Sequence, residues 1–135
     1  MKYKRLARVL SVLAVIVAAV ALTPAAANAE ANPPGCGKGY FCAYSGINET
    51  GTLLIHTFGN WTGMVSGVKS VFNNGNPCGG CDHVDMLFYA APPNNETWCI
   101  HYNPGPGTYK LNFDFTGGII VKGITWRGEC SPGGI

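Results

Sequence analysis

The sequence predicts an all-β protein whose short strands form a sandwich or a barrel-like fold. No window shows the sustained 3.6-residue hydrophobic period of an amphipathic helix, and 19 Gly with 9 Pro would interrupt any helix. Short aromatic and β-branched runs instead alternate with turn-forming residues, as in proteins of this class. A hairpin pattern that occurs twice is the third observation.

The first copy of this pattern has strands at residues 40–44 and 52–58, separated by a polar turn that contains Gly46 and Gly51. A shift of 45 residues lays residues 87–102 over it. Each hairpin is followed by a third similar piece, at 68–71 and at 121–124. We therefore expect a duplicated β unit in one domain (40–135), with motif one at 40–75 and motif two at 84–127. The superposed pairs are Tyr44 and Tyr89, Thr52 and Thr97, Ile55 and Ile100, and His56 and His101.

Residues 1–29 have the pattern of a secretory signal peptide and are excluded from the fold. An apolar run at 9–22, about 14 residues long, is too short to span a bilayer as a helix. Residues 27–29 form an A-x-A cleavage site. We expect cleavage after Ala29 and a secreted, extracellular protein; an uncleaved membrane anchor is the alternative. The basic residues that precede the apolar run are Lys2, Lys4, Arg5 and Arg8.

The charge of the mature chain argues against nucleic acid and membrane partners. Four of the nine Lys and Arg residues lie in the signal segment, so the chain from Glu30 has five basic and seven acidic residues, a net charge of −2. The five basic residues are scattered, and no cluster could neutralise several phosphates or an anionic lipid surface. We expect no nucleic acid and no membrane after cleavage, and a monomer.

Six cysteines, all in the mature part, predict up to three disulfides in an exported chain of this size. Six cysteines allow 15 pairings, which the sequence does not choose between. A bridge from Cys36 to Cys42 is favoured because these two are close and Gly37 and Gly39 let the short loop close. It would tie down a loose N-terminal arm at 30–39. The disulfide candidates are Cys36, Cys42, Cys78, Cys81, Cys99 and Cys130.

The remaining elements follow from the alternation of apolar runs and turn residues. We expect a loop at 59–67, a strand at 68–72, and a strong turn cluster at 73–81 that links the two motifs. In motif two, the expected strands are 84–89, 97–102, 108–115 and 119–126, with a turn at 92–95.

These residues resemble the secreted actinobacterial peptidase inhibitors of the Streptomyces metalloproteinase inhibitor type. The resemblance rests on the segment 36–44 with its two cysteines, on SVFNNG at 70–75, and on the run from Leu87 through Cys99 to Trp126. It implies a βγ-crystallin-like sandwich of two Greek-key motifs, stabilised by disulfides. It also implies that the partner is an extracellular metalloprotease or serine protease.

Tyr44 and Gly51 match the aromatic-x6-Gly corner of crystallin motifs, where glycine permits a folded hairpin with positive φ. The second motif departs from this pattern, because Glu96 stands seven residues after Tyr89. Asn95, which tolerates the left-handed conformation, could form a looser corner instead.

Inhibitors of this type present a reactive bond in a rigid loop closed by a small disulfide, which limits the ordering cost of binding. The resemblance places the cysteine of that loop at Cys99. The family's loop closes through a second Cys a few residues later, but none lies between Ile100 and Glu129. An ordinary strand held to Cys130 is the alternative. The candidate inhibitory residues are Thr97, Trp98, Cys99, Ile100 and His101.

A second candidate loop is the CxxC segment at 78–81. Export favours a local disulfide here; a zinc site with His83 and with Cys99 or His101, or redox chemistry, are the alternatives. The residues of this loop are Cys78, Gly79, Gly80 and Cys81.

Calcium is not expected. Crystallin motifs that bind calcium use an Asn/Asp pair followed by a Ser/Thr pair. The corresponding positions are 65–66 with 69–70, and 118–119 with 122–123; they lack carboxylates, and each includes a lysine. We expect no metal and no cofactor.

The sequence favours a non-enzymatic protein, because it contains no Ser-His-Asp, HExxH or phosphate-cradling motif. Pairs of acidic residues such as Asp82 and Asp85 are explained as turn or rim residues. Two other functions remain as alternatives to inhibition. One is an extracellular glycan or cell-wall binding module that uses Trp61 in a polar loop. The other is an antimicrobial or toxin-like effector.

Overall fold

The computed structural model describes residues 28–91 and 94–131, which form eight strands and no helix. The strands make two four-stranded antiparallel sheets. The all-β prediction is therefore confirmed, whereas most of the signal segment lies outside the described residues. The strands are β1 (Tyr40–Tyr44), β2 (Leu53–Thr57), β3 (Trp61–Val68), β4 (Ser70–Asn74), β5 (His83–Ala91), β6 (Asn94–Ile100), β7 (Lys110–Asn112) and β8 (Ile119–Arg127).

The two sheets have matching strand orders. Sheet A has the order β2-β1-β4-β7, and sheet B has the order β3-β8-β5-β6. In each motif the hairpin pairs with the last long strand, as β1 does with β4 and β5 with β8. The remaining strand of each motif, β3 or β7, joins the sheet of the other motif. Each sheet therefore contains strands from both halves of the chain. The Greek-key assignment itself stays a prediction.

The core lies between the sheets, and buried positions in the first motif recur 45 residues later in the second. Phe41 and Ala43 on β1 are fully buried, and so are Met86 and Phe88 at the matching positions on β5. Ile55 and Ile100 belong to the same core cluster. Equivalent positions thus face inward because side chains alternate between the two faces of a strand.

Three disulfides connect nearby segments: Cys36 to Cys42, Cys78 to Cys81, and Cys99 to Cys130. The first two are the local pairings that the sequence favours. The third attaches the end of β6 to the segment after β8. The part of the chain that the structure describes contains no helical segment that could span a bilayer.

The segment predicted as a loop at 59–67 is largely strand β3, so that prediction was wrong. Gly63, Ser66 and Gly67 have low β propensity. Pairing with β8 nevertheless holds the segment extended, with register shifts on both sides of Val65. The fourth strand also lies later than expected, at Ser70–Asn74 rather than 68–72.

The folded corner of motif one is present. Gly51 has φ 76°, and Asn48 and Glu49 also have positive φ, at 52° and 55°. Ser70 stabilises the corner, since its hydroxyl accepts from the Glu49 N–H at 2.9 Å and donates to the Gly46 carbonyl at 2.7 Å. Motif two has no equivalent corner at Asn95. That residue lies in β6 opposite Tyr89, so the looser corner expected there is wrong.

The N-terminal arm is packed rather than loose. The side chain of Glu30 accepts from the Tyr109 hydroxyl at 2.9 Å and from the Lys110 ammonium at 2.7 Å. The Tyr44 hydroxyl donates to the Pro34 carbonyl at 3.0 Å. The arm is thus held at several points besides the disulfide at Cys36.

Candidate functional site

Three segments meet at one end of the sandwich: the linker between β4 and β5 (residues 75–82), the end of β6, and the chain after β8. We call this end the loop face. The opposite end carries the corner of motif one and the turn at 113–118, because β1, β4 and β7 pair in antiparallel fashion. Both candidate inhibitory segments therefore lie on the loop face.

The linker projects a tight turn closed by the Cys78–Cys81 disulfide. The Gly80 N–H donates to the Cys78 carbonyl at 2.8 Å, which folds the turn. Residues 76, 77 and 79–81 are exposed, and a Cβ added at Gly79 or Gly80 would meet no atom within 4 Å. This turn is accessible, and its backbone is folded rather than extended.

The buried carboxylate of Asp82 anchors the base of this turn. One of its oxygens accepts from the Cys78 N–H at 2.9 Å, and the other lies 2.6 Å from Nδ1 of His83. Asp82 is 4% exposed and His83 is 2% exposed. The turn is thereby fixed to the first residue of β5.

Asn73 connects the same turn to both sheets. Its buried side-chain amide donates to the carbonyls of Asp82 and Ile100, and its oxygen accepts from the Gly75 N–H at 3.0 Å. Sequence reasoning placed Asn73 in a turn cluster and missed this role, since nothing in the local pattern indicates that residues 73 and 74 belong to a buried strand.

His83 and His101 are in direct contact. Nε2 of His83 lies 3.0 Å from Nδ1 of His101, and the rings meet edge to face. Burial and the neighbouring His83 lower the pKa of His101. The sequence analysis grouped these two residues only as ligands of the alternative zinc site beside the cysteines. Their direct contact follows from the register of the β5–β6 hairpin, which places Val84 opposite Ile100.

The first candidate segment, 97–101, is not an exposed loop. Residues 97–100 lie in β6, where Cys99 is 8% exposed and Ile100 is 1% exposed. Cys99 is bridged to Cys130. Trp98 packs against the core beside Phe88. Cys99 and Ile100 are thus buried, whereas residues 79–81 of the second candidate segment are exposed.

A cleft of about 240 Å³ lies beside the turn. Phe58 borders it and is 78% exposed, whereas the Trp126 ring forms part of its wall. Nε1 of Trp126 is buried and has no hydrogen-bond partner among the described residues. The residues that line the cleft are Gly39, Phe58, Gly59, Asn76, Cys78, Cys81 and Trp126.

Trp61 is not an exposed loop residue. It begins β3, is half-buried, and packs against the core. Its ring lies so close to Gly63 that a Cβ there would come within 2.4 Å of it. Trp61 therefore does not offer the exposed aromatic surface on which the glycan-binding alternative depends.

The cysteines of the 78–81 segment and Cys99 do not provide zinc ligands, because a thiolate must be free to bind zinc. Cys78, Cys81 and Cys99 are all in disulfides.

Comparison with known families identifies a peptidase inhibitor as the class of protein that the first half of the chain resembles. A model of peptidase inhibitor family I36, the Streptomyces metalloproteinase inhibitor type, matches residues 29–79. The resemblance inferred from the sequence is confirmed over this segment, which runs from the arm through β1–β4 into the 78–81 turn. No curated protein and no solved structure matches the chain significantly.

Proposed function

We propose that the protein is a secreted inhibitor of an extracellular metalloprotease and that it contacts the enzyme through the loop face. The observation that carries the proposal is the exposed 78–81 turn, whose first two residues end the segment matched by the inhibitor family. Extracellular serine proteases are the second target class.

Rigidity supports this assignment. A loop that is already held in one conformation loses little freedom when it binds, so more of the contact energy appears as affinity. The disulfide, the Asp82 carboxylate and the Asn73 side chain fix the turn from three directions. A small exported protein that must itself resist proteolysis benefits from the same constraints.

The surface around the turn is suited to a protein partner. Phe58 offers a large exposed aromatic side chain, and aromatic residues often dominate binding energy at interfaces. The cleft between Phe58 and Trp126 could receive a side chain of the enzyme. Because the backbone at 78–81 is folded, the turn would fill the mouth of the protease cleft rather than lie in it as an extended strand.

The test is titration of the oxidised protein against a thermolysin-like and a subtilisin-like protease. Residual activity measures inhibition, and mass spectrometry of the added protein detects any cut. We expect stoichiometric inhibition of the metalloprotease. The variants Gly79→Glu and Gly80→Glu should abolish it, because each places a charge on the turn at a position with open space around it.

Thr116→Glu is the matched control, since it adds the same charge to an exposed turn at the opposite end. It should inhibit as the unmodified protein does. The proposal is wrong if the folded protein inhibits neither protease, or if the two glycine variants inhibit as well as the control.

A further inference from the structure

We propose that His83, His101 and Glu129 form a binding site for a divalent transition-metal ion, such as zinc. The site lies on the loop face and involves no cysteine thiolate. This inference does not depend on inhibition of a protease.

Two pairs of donor atoms are already near the separations that a metal requires. Nε2 of His83 is 3.0 Å from Nδ1 of His101 and 3.5 Å from Oε2 of Glu129. In a tetrahedral zinc site with bonds of about 2.0–2.1 Å, neighbouring donor atoms are roughly 3.3 Å apart. An ion could therefore sit between the two imidazole nitrogens, and the exposed Glu129 carboxylate, now beside His83, would turn toward it.

Asp82 orients the His83 ring for metal binding. Its carboxylate accepts a hydrogen bond from Nδ1–H of His83, which leaves the lone pair of Nε2 directed toward His101. Metal-bound histidines commonly donate their second ring N–H to a carboxylate in this way, which fixes the ring and raises its basicity. Asp82 itself accepts a hydrogen bond from the Cys78 N–H, so the orientation of the His83 ring is fixed without a bound ion.

The ring of His101 is fixed from its other side by Gly107. A Cβ on Gly107 would come within 2.2 Å of Cδ2 of His101, so only glycine allows this close approach. In the absence of metal, Nδ1–H of His101 can donate to Nε2 of His83. Metal binding then requires that this proton move to Nε2 of His101, with no net change in the charge of the imidazole.

The third ligand and the exposure of the site fit reversible binding. The Glu129 side chain is 86% exposed and is free to adjust toward an ion. A fourth position would be taken by water. Cys130 Sγ lies within 4.8 Å of the histidine donor atoms, but it is bridged to Cys99 and does not act as a thiolate ligand. Two imidazoles with one carboxylate favour zinc, copper or nickel over calcium.

The experiment is isothermal titration of the oxidised, chelator-treated protein with zinc chloride alone. We expect binding at a single site and a rise in melting temperature as zinc is added. His101→Ala should weaken binding by more than about 100-fold, and Glu129→Gln by about 10-fold. Both side chains reach the surface, and the melting temperature of each variant in chelator shows that it is folded.

His56→Ala is the matched control, because His56 is the histidine outside the proposed site and stacks on Tyr40 in the other sheet. Its zinc affinity should equal that of the unmodified protein. The proposal is overturned if the protein binds no zinc at micromolar concentration. It is also overturned if His101→Ala and Glu129→Gln bind as tightly as the His56 variant.

Discussion

The side chain of Asn103 and the backbone of Glu30 hydrogen-bond to each other in both directions. The Glu30 N–H donates to Oδ1 of Asn103 at 2.9 Å, and Nδ2 of Asn103 donates to the Glu30 carbonyl at 2.9 Å. The two residues are 73 positions apart, and Asn103 is 1% exposed. This pair closes the N-terminal arm onto the segment that follows β6.

We predict that Asn103→Ala destabilises the protein by about 1–3 kcal/mol, because it removes both partners of the Glu30 backbone. Urea unfolding at neutral pH measures the loss. Asn112→Ala is the control, since its side chain also bonds a backbone N–H, that of Asn48, but in an exposed position. Equal losses in the two variants would contradict the role assigned to Asn103.

Glu49 should make stability depend on pH in the direction opposite to a carboxylate whose pKa is lowered by an ion pair. Burial raises its pKa, and Oε1 has no hydrogen-bond partner among the described residues. A raised pKa means that the fold disfavours the ionised form, so the contribution to stability is complete below the ordinary pKa of 4.5 and is lost as pH rises.

We therefore predict that Glu49→Gln raises the melting temperature at pH 7 and that this gain disappears below about pH 4.5. Thermal unfolding of both proteins across this range measures the difference. A gain that persists unchanged at pH 3.5 would show that ionisation of Glu49 is not its cause.

Glu30 should behave in the opposite way. The hydrogen bond from the Lys110 ammonium lowers the pKa of the Glu30 carboxyl. Its contribution to stability is present above the ordinary pKa of 4.5 and is lost as pH falls through the lowered value. Glu30→Gln should lower the melting temperature at pH 7 and match the unmodified protein at pH 2. A deficit that is the same at both pH values would contradict this prediction.

The sequence predicted those elements whose local signals agree with the sheets. Strand β1 was placed at its observed bounds, because an aromatic run lies between Gly39 and a polar turn. Strand β3 was missed because its residues, such as Gly63 and Ser66, favour a loop locally, and only pairing with β8 makes them a strand. Tertiary contacts, and not local propensity, determine the conformation of this segment.

The site was partly predictable for the same reason. The exposed turn at 78–81 follows from clustered Gly and Cys, which act locally. The contact between His83 and His101 depends on the register of β5 and β6, and a one-residue slip would separate the rings. The docking of Glu30 could not be predicted, since it depends on contacts across most of the chain.

The two disulfides on the loop face should contribute unequally to stability. Cys78 and Cys81 are 3 positions apart, whereas Cys99 and Cys130 are 31 apart. In the chain-entropy model, loops of these lengths correspond to about 2 and about 4 kcal/mol. We predict that urea unfolding shows the larger loss when Cys99 and Cys130 are both changed to Ser. A larger loss from the Cys78 and Cys81 double variant would contradict it.

Phe58 should contribute binding energy rather than stability. Its ring meets Tyr40 edge to face but remains 78% exposed, so folding gains little from it. Burial of an aromatic side chain against a partner contributes about 1.5–3 kcal/mol. If the loop face contacts the protease, Phe58→Ala should raise the inhibition constant by roughly tenfold or more and leave the melting temperature nearly unchanged.

Phe115→Ala provides the comparison, because Phe115 is also an exposed phenylalanine, at 51%, but lies at the opposite end of the sandwich. The inhibition constant of this variant should equal that of the unmodified protein. The two variants remove the same side chain and differ in the end of the molecule that they alter. A loss of inhibition in Phe115→Ala with none in Phe58→Ala would move the contact to the opposite end, at the turn of residues 113–118.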